Sequence, residues 1–159
     1  MADNKCVRLR LLLSARDPAA GHAMRNLIQQ VERDSRFQVM VVSSSPASQL
    51  LKDIYCQHIQ LSDEISNLPC NLESAAQSIL DEFKPNAIVV GASGPDAGID
   101  EQLVKLSKNI RSYVVQDFWG DVNLSLNVPA DCYFVVDSFA AELTSCLLYT
   151  SPSPRDGLL

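Results

Sequence analysis

Residues 87–95 of the chain read AIVVGASGP. The first four are apolar and three of them are β-branched, which is typical of a strand buried on both faces. Gly91, Gly94 and Pro95 then end this strand in a turn. Pro85, just before it, ends the preceding helical segment. The segment therefore predicts a central strand of a parallel sheet that leads into a loop.

Strand-like and helix-like segments alternate on both sides of this strand. Five further apolar segments predict strands at Val7–Leu13, Phe37–Val42, Cys56–Leu61, Ser112–Gln116 and Cys132–Val136. Such alternation indicates parallel strands joined by right-handed crossovers. We expect an α/β, Rossmann-like fold: a doubly wound, mostly parallel sheet of about six strands in the order 3-2-1-4-5-6, with helices on both faces.

The helices are marked mainly by their first residues. Asp17 and Pro18 suit the N-cap and the first position of the first helix. Further helices are expected from Pro46 to Tyr55, from Asn71 as a cap to Phe83, over Gly98–Asn109, and from Ser138 onward. Cys132 lies in an apolar run and is expected in the core.

The composition favours a single acidic domain. The chain has 159 residues and a net charge of −6, from 13 Lys and Arg and 19 Asp and Glu. This balance argues against nucleic acid or an anionic membrane as the main partner. No apolar run approaches the roughly 20 residues of a membrane span. The five cysteines contain no C-x-x-C pair, so we expect a cytoplasmic protein with reduced thiols and no metal site.

The end of the chain carries a different kind of signal. Residues 146–156 read CLLYTSPSPRD and resemble one reading frame of a transposon mosaic-end adaptor used to prepare sequencing libraries. Such segments are set aside in fold reasoning. We expect a Rossmann-like domain at 1–145, truncated from a longer protein, and a disordered adaptor-derived tail at 146–159. Its start would extend the last helix by less than about one turn. A natural Pro- and Ser-rich tail is the alternative.

Two loops are expected to flank a ligand crevice. In open α/β sheets, ligands bind outside the carboxyl ends of the strands, near the switch in strand order. With the expected order, the crevice lies between loops 14–22 and 91–96. Both loops lead into helix N-termini, whose free N–H groups favour anions. The alternative is that Gly91 and Gly94 only make a tight turn.

Standard nucleotide signatures are absent from these loops. Gly21 is the only glycine after the first strand, and the second strand ends in Ser43-Ser44-Ser45 rather than in an acidic residue. The dinucleotide-binding pattern is therefore missing, and no P-loop sequence occurs. A response-regulator interpretation lacks the lysine that should follow a late strand. We expect no cofactor site in this chain.

Three residues near this edge could carry chemistry. His22, in the first turn of the first helix, could act as a general base; a surface or capping histidine is the alternative. Asp117 and Trp119 lie in a long loop at 117–130. An aromatic ring beside carboxylates can form a platform for a sugar or a base. The sequence is equally compatible with a Trp119 that covers the hydrophobic core. His58 is expected to be an edge-strand residue.

Several segments together resemble one known group. They are Ser14–Ala23, Gly91–Gly94 with Gly98–Glu101, Tyr113–Trp119, and Ala130–Asp137 with Ala140–Glu142. In this order they resemble the N-terminal half of GT-B type glycosyltransferase-like proteins, a group that includes the UDP-N-acetylglucosamine 2-epimerases. The resemblance covers about residues 7–145. The first loop has fewer glycines than is usual in the group.

The resemblance implies the acceptor-side domain of a nucleotide-sugar-dependent glycosyltransferase or epimerase, incomplete without its C-terminal domain. The nucleotide-sugar and a small-molecule or glycan acceptor would be ligands of the intact parent. His22 and Asp117 would be catalytic, with His22 as the base. The substrate-binding residues would be Arg16, Asp17, Gly21, Ser93, Gly94 and Trp119. There are two alternatives: a stand-alone flavodoxin-like binding or signalling module, and a nucleotide-dependent oxidoreductase domain.

Overall fold

A computed structural model describes residues 8–150, which form one parallel sheet with helices on both sides. The strands are β1 (Leu9–Ala15), β2 (Phe37–Ser43), β3 (Gln57–Gln60), β4 (Ala87–Gly91), β5 (Arg111–Val115) and β6 (Cys132–Phe134). Their order in the sheet is β3-β2-β1-β4-β5-β6, and every pair is parallel. The predicted fold class and strand order are confirmed. Val7 of the first predicted strand, and residues 151–159 of the tail predicted at 146–159, lie outside the described residues.

The helices follow the predicted alternation. They are α1 (Pro18–Val31), α2 (Ala47–Leu50), α3 (Asp63–Ser66), α4 (Pro69–Phe83), α5 (Ile99–Leu106) and α6 (Ser138–Thr150). Asp17 caps α1 as predicted, because its Oδ1 accepts a hydrogen bond from the Ala20 N–H at 2.8 Å. Within residues 8–150, no helix combines the length and apolar character needed to cross a membrane.

Four helix boundaries differ from the prediction, the first being that of α5, which ends at Leu106 rather than at Asn109. Asn71 does not cap α4: the helix begins at Pro69, whose fixed φ suits the first helical position, so Asn71 lies in the first turn. The helix predicted from Pro46 to Tyr55 is only the four residues of α2. α6 continues five residues past Ser145, which is more than the single turn expected.

The core has two layers, one on each face of the sheet. Leu12 and Leu13 of the central strand β1 are both fully buried but face opposite sides, because successive side chains of a strand alternate. Leu12 packs with α4 and α5, whereas Leu13 packs with α1. Cys132, predicted in the core, is exposed because β6 is the last strand of the sheet.

Candidate functional site

Arg16 joins the loop after β1 to the loop after β4. Its guanidinium donates a hydrogen bond to the carbonyl oxygen of Gly94 at 2.7 Å and another to that of Asp96. Its Nε lies 3.9 Å from Oδ2 of Asp100 and 3.6 Å from Oε2 of Glu101. The side chain is only 20% exposed; both hydrogen bonds come from Nη2, and the buried Nε has no hydrogen-bond partner.

A glycine makes room for this arginine. A Cβ atom at Gly98 would overlap Cδ of Arg16 and lie 2.6 Å from its Nε. Real Cβ atoms essentially never show such a contact, so a side chain at position 98 would force the outer half of the arginine side chain to move. Gly98 therefore lets the arginine pass close to the backbone at the start of α5.

Two carboxylates in the first turn of α5 complete this arrangement. Asp100 is fully buried and accepts hydrogen bonds from the hydroxyls of Ser14 and Ser93, the latter at 2.9 Å. Oε2 of Glu101 accepts the Gly98 N–H at 2.7 Å. We call Ser14, Arg16, Ser93, Asp100 and Glu101 the Arg16 network.

Burial dominates the electrostatics of the Arg16 network. It raises the pKa of Asp100, against the opposing effects of the two serine hydroxyls and Arg16. Burial also raises the pKa of Glu101, and the neighbouring charge of Asp100 raises it further. One guanidinium faces two carboxyl groups, so the network favours retention of a proton.

The sequence prediction missed Asp100 and Glu101 as site residues, although a signal was present. An acidic pair in the first turn of a helix is usually read as a solvated complement to the helix dipole. However, Asp100 precedes Leu103 and Val104 by three and four residues, which places it on the apolar face of α5. A carboxylate at such a position is expected to be buried and paired.

Asp17 holds the other side of the crevice. Besides capping α1, its carboxylate accepts a hydrogen bond from the Gly94 N–H at 3.1 Å through Oδ2. A Cβ atom at Gly94 would meet nothing within 4 Å. The structure thus brings together Arg16, Asp17, Ser93 and Gly94, as the two-loop prediction required.

A polar cleft opens beside these residues, between the ends of β1 and β2, α3 and the loop before α5. Its volume is about 390 Å³. Its polar lining comprises Arg16, Asp17, Ser44, Ser45, Ser66, Asn67 and Asp96. Hydroxyl, amide and carboxylate groups of this kind can hydrogen-bond a polar ligand.

Two predicted residues of α1 lie elsewhere. Gly21 is buried, and a Cβ atom there would lie 3.2 Å from Cβ of Ala47. Gly21 therefore allows α1 and α2 to pack closely and does not line the cleft. His22 is exposed on α1, four residues after the helix begins. Its role as a base stays a prediction.

The loop after β5 places Asp117 and Trp119 on the surface. Both are exposed. Burial, and then the nearby charges of Asp117 and Asp17, raise the pKa of Asp121. The loop after β5 therefore lies close to the loop after β1. No group of three His, Cys, Asp or Glu side chains in the described part of the chain is arranged to hold a metal ion.

Asn123 ties this loop to the loop after β4. Its Nδ2 donates hydrogen bonds to the carbonyl oxygens of Ser93 at 3.2 Å, of Asp96 at 3.0 Å, and of Gly94. Gln116 anchors the base of the same loop by donating to the carbonyl of Asp121 at 2.9 Å. The sequence offered no signal for Asn123, because residues 117–130 have no periodicity that would place one side chain inward.

Comparison with known proteins adds a fold-level likeness. No family model and no curated protein matches the chain. A structure of S. aureus MnaA with UDP matches with a TM-score of 0.67 and 13% identity, over 92% of this chain and 43% of that one. The chain has the fold of one part of a UDP-N-acetylglucosamine 2-epimerase.

Two further structures agree. A UDP-N-acetylglucosamine 2-epimerase matches with a TM-score of 0.66 and 13% identity, over 93% of this chain and 46% of that one. The Neisseria meningitidis UDP-GlcNAc 2-epimerase bound to UDP-GlcNAc matches with a TM-score of 0.54 and 14% identity, over 67% and 32%. The chain spans less than half the length of each of these structures. The predicted epimerase-like, Rossmann-like fold is confirmed.

Proposed function

We propose that this chain is the N-terminal, acceptor-side domain of a GT-B-like glycosyltransferase or epimerase that uses a nucleotide-sugar. The observation that carries the proposal is the meeting of three loops at one edge of the sheet. The loop after β4 is held by Asp17 and Arg16 from one side and by Asn123 from the other. Ligand sites of open α/β sheets occupy this edge.

The fold-level likeness supports the proposal. Two of the matching structures contain UDP or UDP-GlcNAc. Because this chain covers only 32–46% of the matching structures, we propose that a second domain of the natural protein supplies the nucleotide-sugar site. This domain itself would carry no cofactor. We further propose that the natural sequence in this chain runs to about residue 145, that the natural protein is longer, and that it works in the cytoplasm.

The exposed residues are suited to contacting the ligand and to catalysis, and the buried ones to holding the loops in position. His22 can take a proton from an acceptor hydroxyl. Asp117 adds a carboxylate at the carboxyl-terminal edge of the sheet. Arg16, Asp17, Ser93 and Gly94 would shape the acceptor side of the cleft. Trp119 would contact the acceptor. Gly21, predicted to bind substrate, is assigned the packing of α1 instead.

The test compares this chain with its intact natural parent. Each is titrated with a panel of nucleotide-sugars, FMN and NAD, by calorimetry and by turnover. We expect the parent to bind and convert at least one nucleotide-sugar, and the 159-residue chain to convert none. Tight binding of FMN or NAD by the 159-residue chain would contradict the proposal and favour a flavodoxin-like or oxidoreductase module.

A further inference from the structure

An exposed aromatic cluster lies at the carboxyl end of β5 and β6. It consists of Phe118, Trp119 and Phe139, which are 67%, 49% and 54% exposed. The rings of Trp119 and Phe139 meet edge to face at 5.9 Å, and those of Phe118 and Trp119 lie 6.0 Å apart. We call these three residues the aromatic platform. Contiguous exposed apolar surface of this kind marks a binding site.

The indole of the platform is held in place rather than loosely attached. Its Nε1–H donates a hydrogen bond to Oδ2 of Asp137 at 2.9 Å. Oδ1 of Asp137 accepts the Ala140 N–H at 2.8 Å at the start of α6. Gly120 follows Trp119 with a φ of 68°, a conformation that favours glycine. A ring fixed in this way loses little freedom when a ligand stacks on it.

The charges around the platform limit what can bind. Asp117 and Asp121 lie in the same loop, and the whole chain carries a net charge of −6, so a phosphate-bearing ligand is repelled. The backbone N–H of Ala140 and the Trp119 indole lower the pKa of Asp137, which is therefore already compensated. The exposed carboxylate of Asp117 beside the rings also suits an organic cation, so a cation is the competing ligand that a binding test must separate from a neutral one.

We propose that the aromatic platform binds a pyranose ring of a neutral glycan. The C–H face of a pyranose packs on an aromatic ring, and its hydroxyls can donate to the exposed carboxylate of Asp117. The assignment of this glycan as the acceptor rests on the proposed function, whereas the binding itself does not. The platform deepens that function by naming a substrate class for the exposed part of the site.

Trp119 is the only tryptophan of the chain, so fluorescence excited selectively at the indole, and not at the four tyrosines, reports on the platform alone. The 159-residue chain is titrated with neutral tetrasaccharides of glucose, galactose, mannose and N-acetylglucosamine, with UDP, and with choline. We expect at least one tetrasaccharide to change the emission saturably and to protect Trp119 from acrylamide quenching. UDP and choline should have no such effect.

Substitutions separate stacking from a general effect on the surface. Phe139→Ala should weaken the tetrasaccharide about fivefold, because one supporting aromatic contact is lost. Tyr55→Ala is the matched control, because Tyr55 is an exposed aromatic residue outside the platform and its removal should leave the affinity unchanged. Trp119→Leu, followed by calorimetry, should abolish binding while the circular dichroism spectrum stays that of the parent chain.

Each outcome decides the proposal. The proposal is overturned if none of the four tetrasaccharides changes the emission of Trp119. It is also overturned if only UDP or choline changes it, or if the emission depends only on protein concentration. The last result would instead indicate a contact between two copies of the chain. If the tetrasaccharide binds but the intact parent converts no nucleotide-sugar, the platform stands and the proposed enzyme function fails.

Discussion

The Arg16 network and the aromatic platform lie at the same edge of the sheet but differ in their access to solvent. Asp100 is fully buried and Arg16 is mostly covered, whereas the three platform rings are about half exposed or more. The carboxylates of the network accept hydrogen bonds from inside the protein, whereas the buried Nε of Arg16 has ion-pair contacts but no hydrogen-bond partner. The comparison suggests a division of labour in which the network holds the loops and the exposed residues contact the ligand.

The sharpest test of this division is Asp100→Ala. Removing the carboxylate takes the acceptor of the buried Ser14 hydroxyl and leaves the Ser93 hydroxyl only the Gly91 carbonyl, at 3.4 Å. It also takes one partner from Arg16. Breaking a buried ion pair costs on the order of 3–5 kcal/mol, and we expect a loss of about 3 kcal/mol in the free energy of unfolding, measured in urea. Asp96→Ala, which removes an exposed carboxylate in the adjoining loop, should cost less than about 0.5 kcal/mol. If the two variants lost equal free energy of unfolding, the buried network would be no more important for stability than the exposed loop residues.

A pair of glycine substitutions extends the test to the last residue of β4, Gly91, and to Gly94 in the loop that follows. A Cβ atom at Gly91 would lie 2.6 Å from Cβ of Ala20, whereas one at Gly94 meets open space. Overpacking of this kind costs roughly 1–3 kcal/mol, so Gly91→Ala should lower the melting temperature by several degrees. Gly94→Ala should leave it almost unchanged. If Gly94→Ala were the more damaging, the turn itself would be the constraint.

The pH dependence of stability is the third test. The pKa values of Asp100 and Glu101 are raised in the folded protein, mainly by burial. Between about pH 4, where these groups ionise in the unfolded chain, and neutrality, the folded state therefore holds more protons. Their contribution to stability is greatest at the acidic end and falls as the pH rises. We expect a decline on the order of 1–2 kcal/mol.

The double variant Asp100→Asn, Glu101→Gln supplies the control for that profile. It removes both titrating groups while keeping side chains of nearly the same size. Urea unfolding from pH 4 to pH 7.5 should give a flatter profile than the parent chain. A parent profile that rises over this range and is unchanged in the variant would show that other carboxyls set the pH dependence.

The smallest effect on stability is expected at the exposed residues. His22→Ala and Asp117→Ala should each change the free energy of unfolding by less than about 0.5 kcal/mol. In the intact parent, however, loss of a general base typically lowers turnover by about 100-fold or more. Asn26→Ala, one turn further along α1 and also exposed, is the matched control. Parent-like turnover in both variants would leave them as surface residues.

The sequence was sufficient for the fold because its strongest signals are local. Asp17-Pro18 marks a helix start, and Ala87–Val90 carries the apolar, branched side chains of a strand buried on both faces. The start of α4 was missed because Pro69 and Asn71 both suit a helix N-terminus and only the backbone decides between them. The extent of α6 was misjudged because its last residues were set aside as foreign to the domain.

The candidate site was predictable only where neighbouring strands bring loop residues together. Arg16, Asp17, Ser93 and Gly94 meet because β1 and β4 are adjacent and parallel. Asn123 contacts the same loop from a segment without periodic pattern, so its position depends on tertiary packing alone. Asp100 lies between these cases, since its spacing from the apolar residues of α5 marked it as buried.

The glycine beneath Arg16 has a consequence for how this surface can change over time. Any side chain at position 98 would displace the arginine, so position 98 is free to vary only where position 16, far away in the sequence, no longer carries an arginine placed in this way. In related sequences we expect an arginine at position 16 to be inherited with a glycine at position 98. A larger residue at position 98 should coincide with a shorter one at position 16. Such covariation would record the contact independently of any structure.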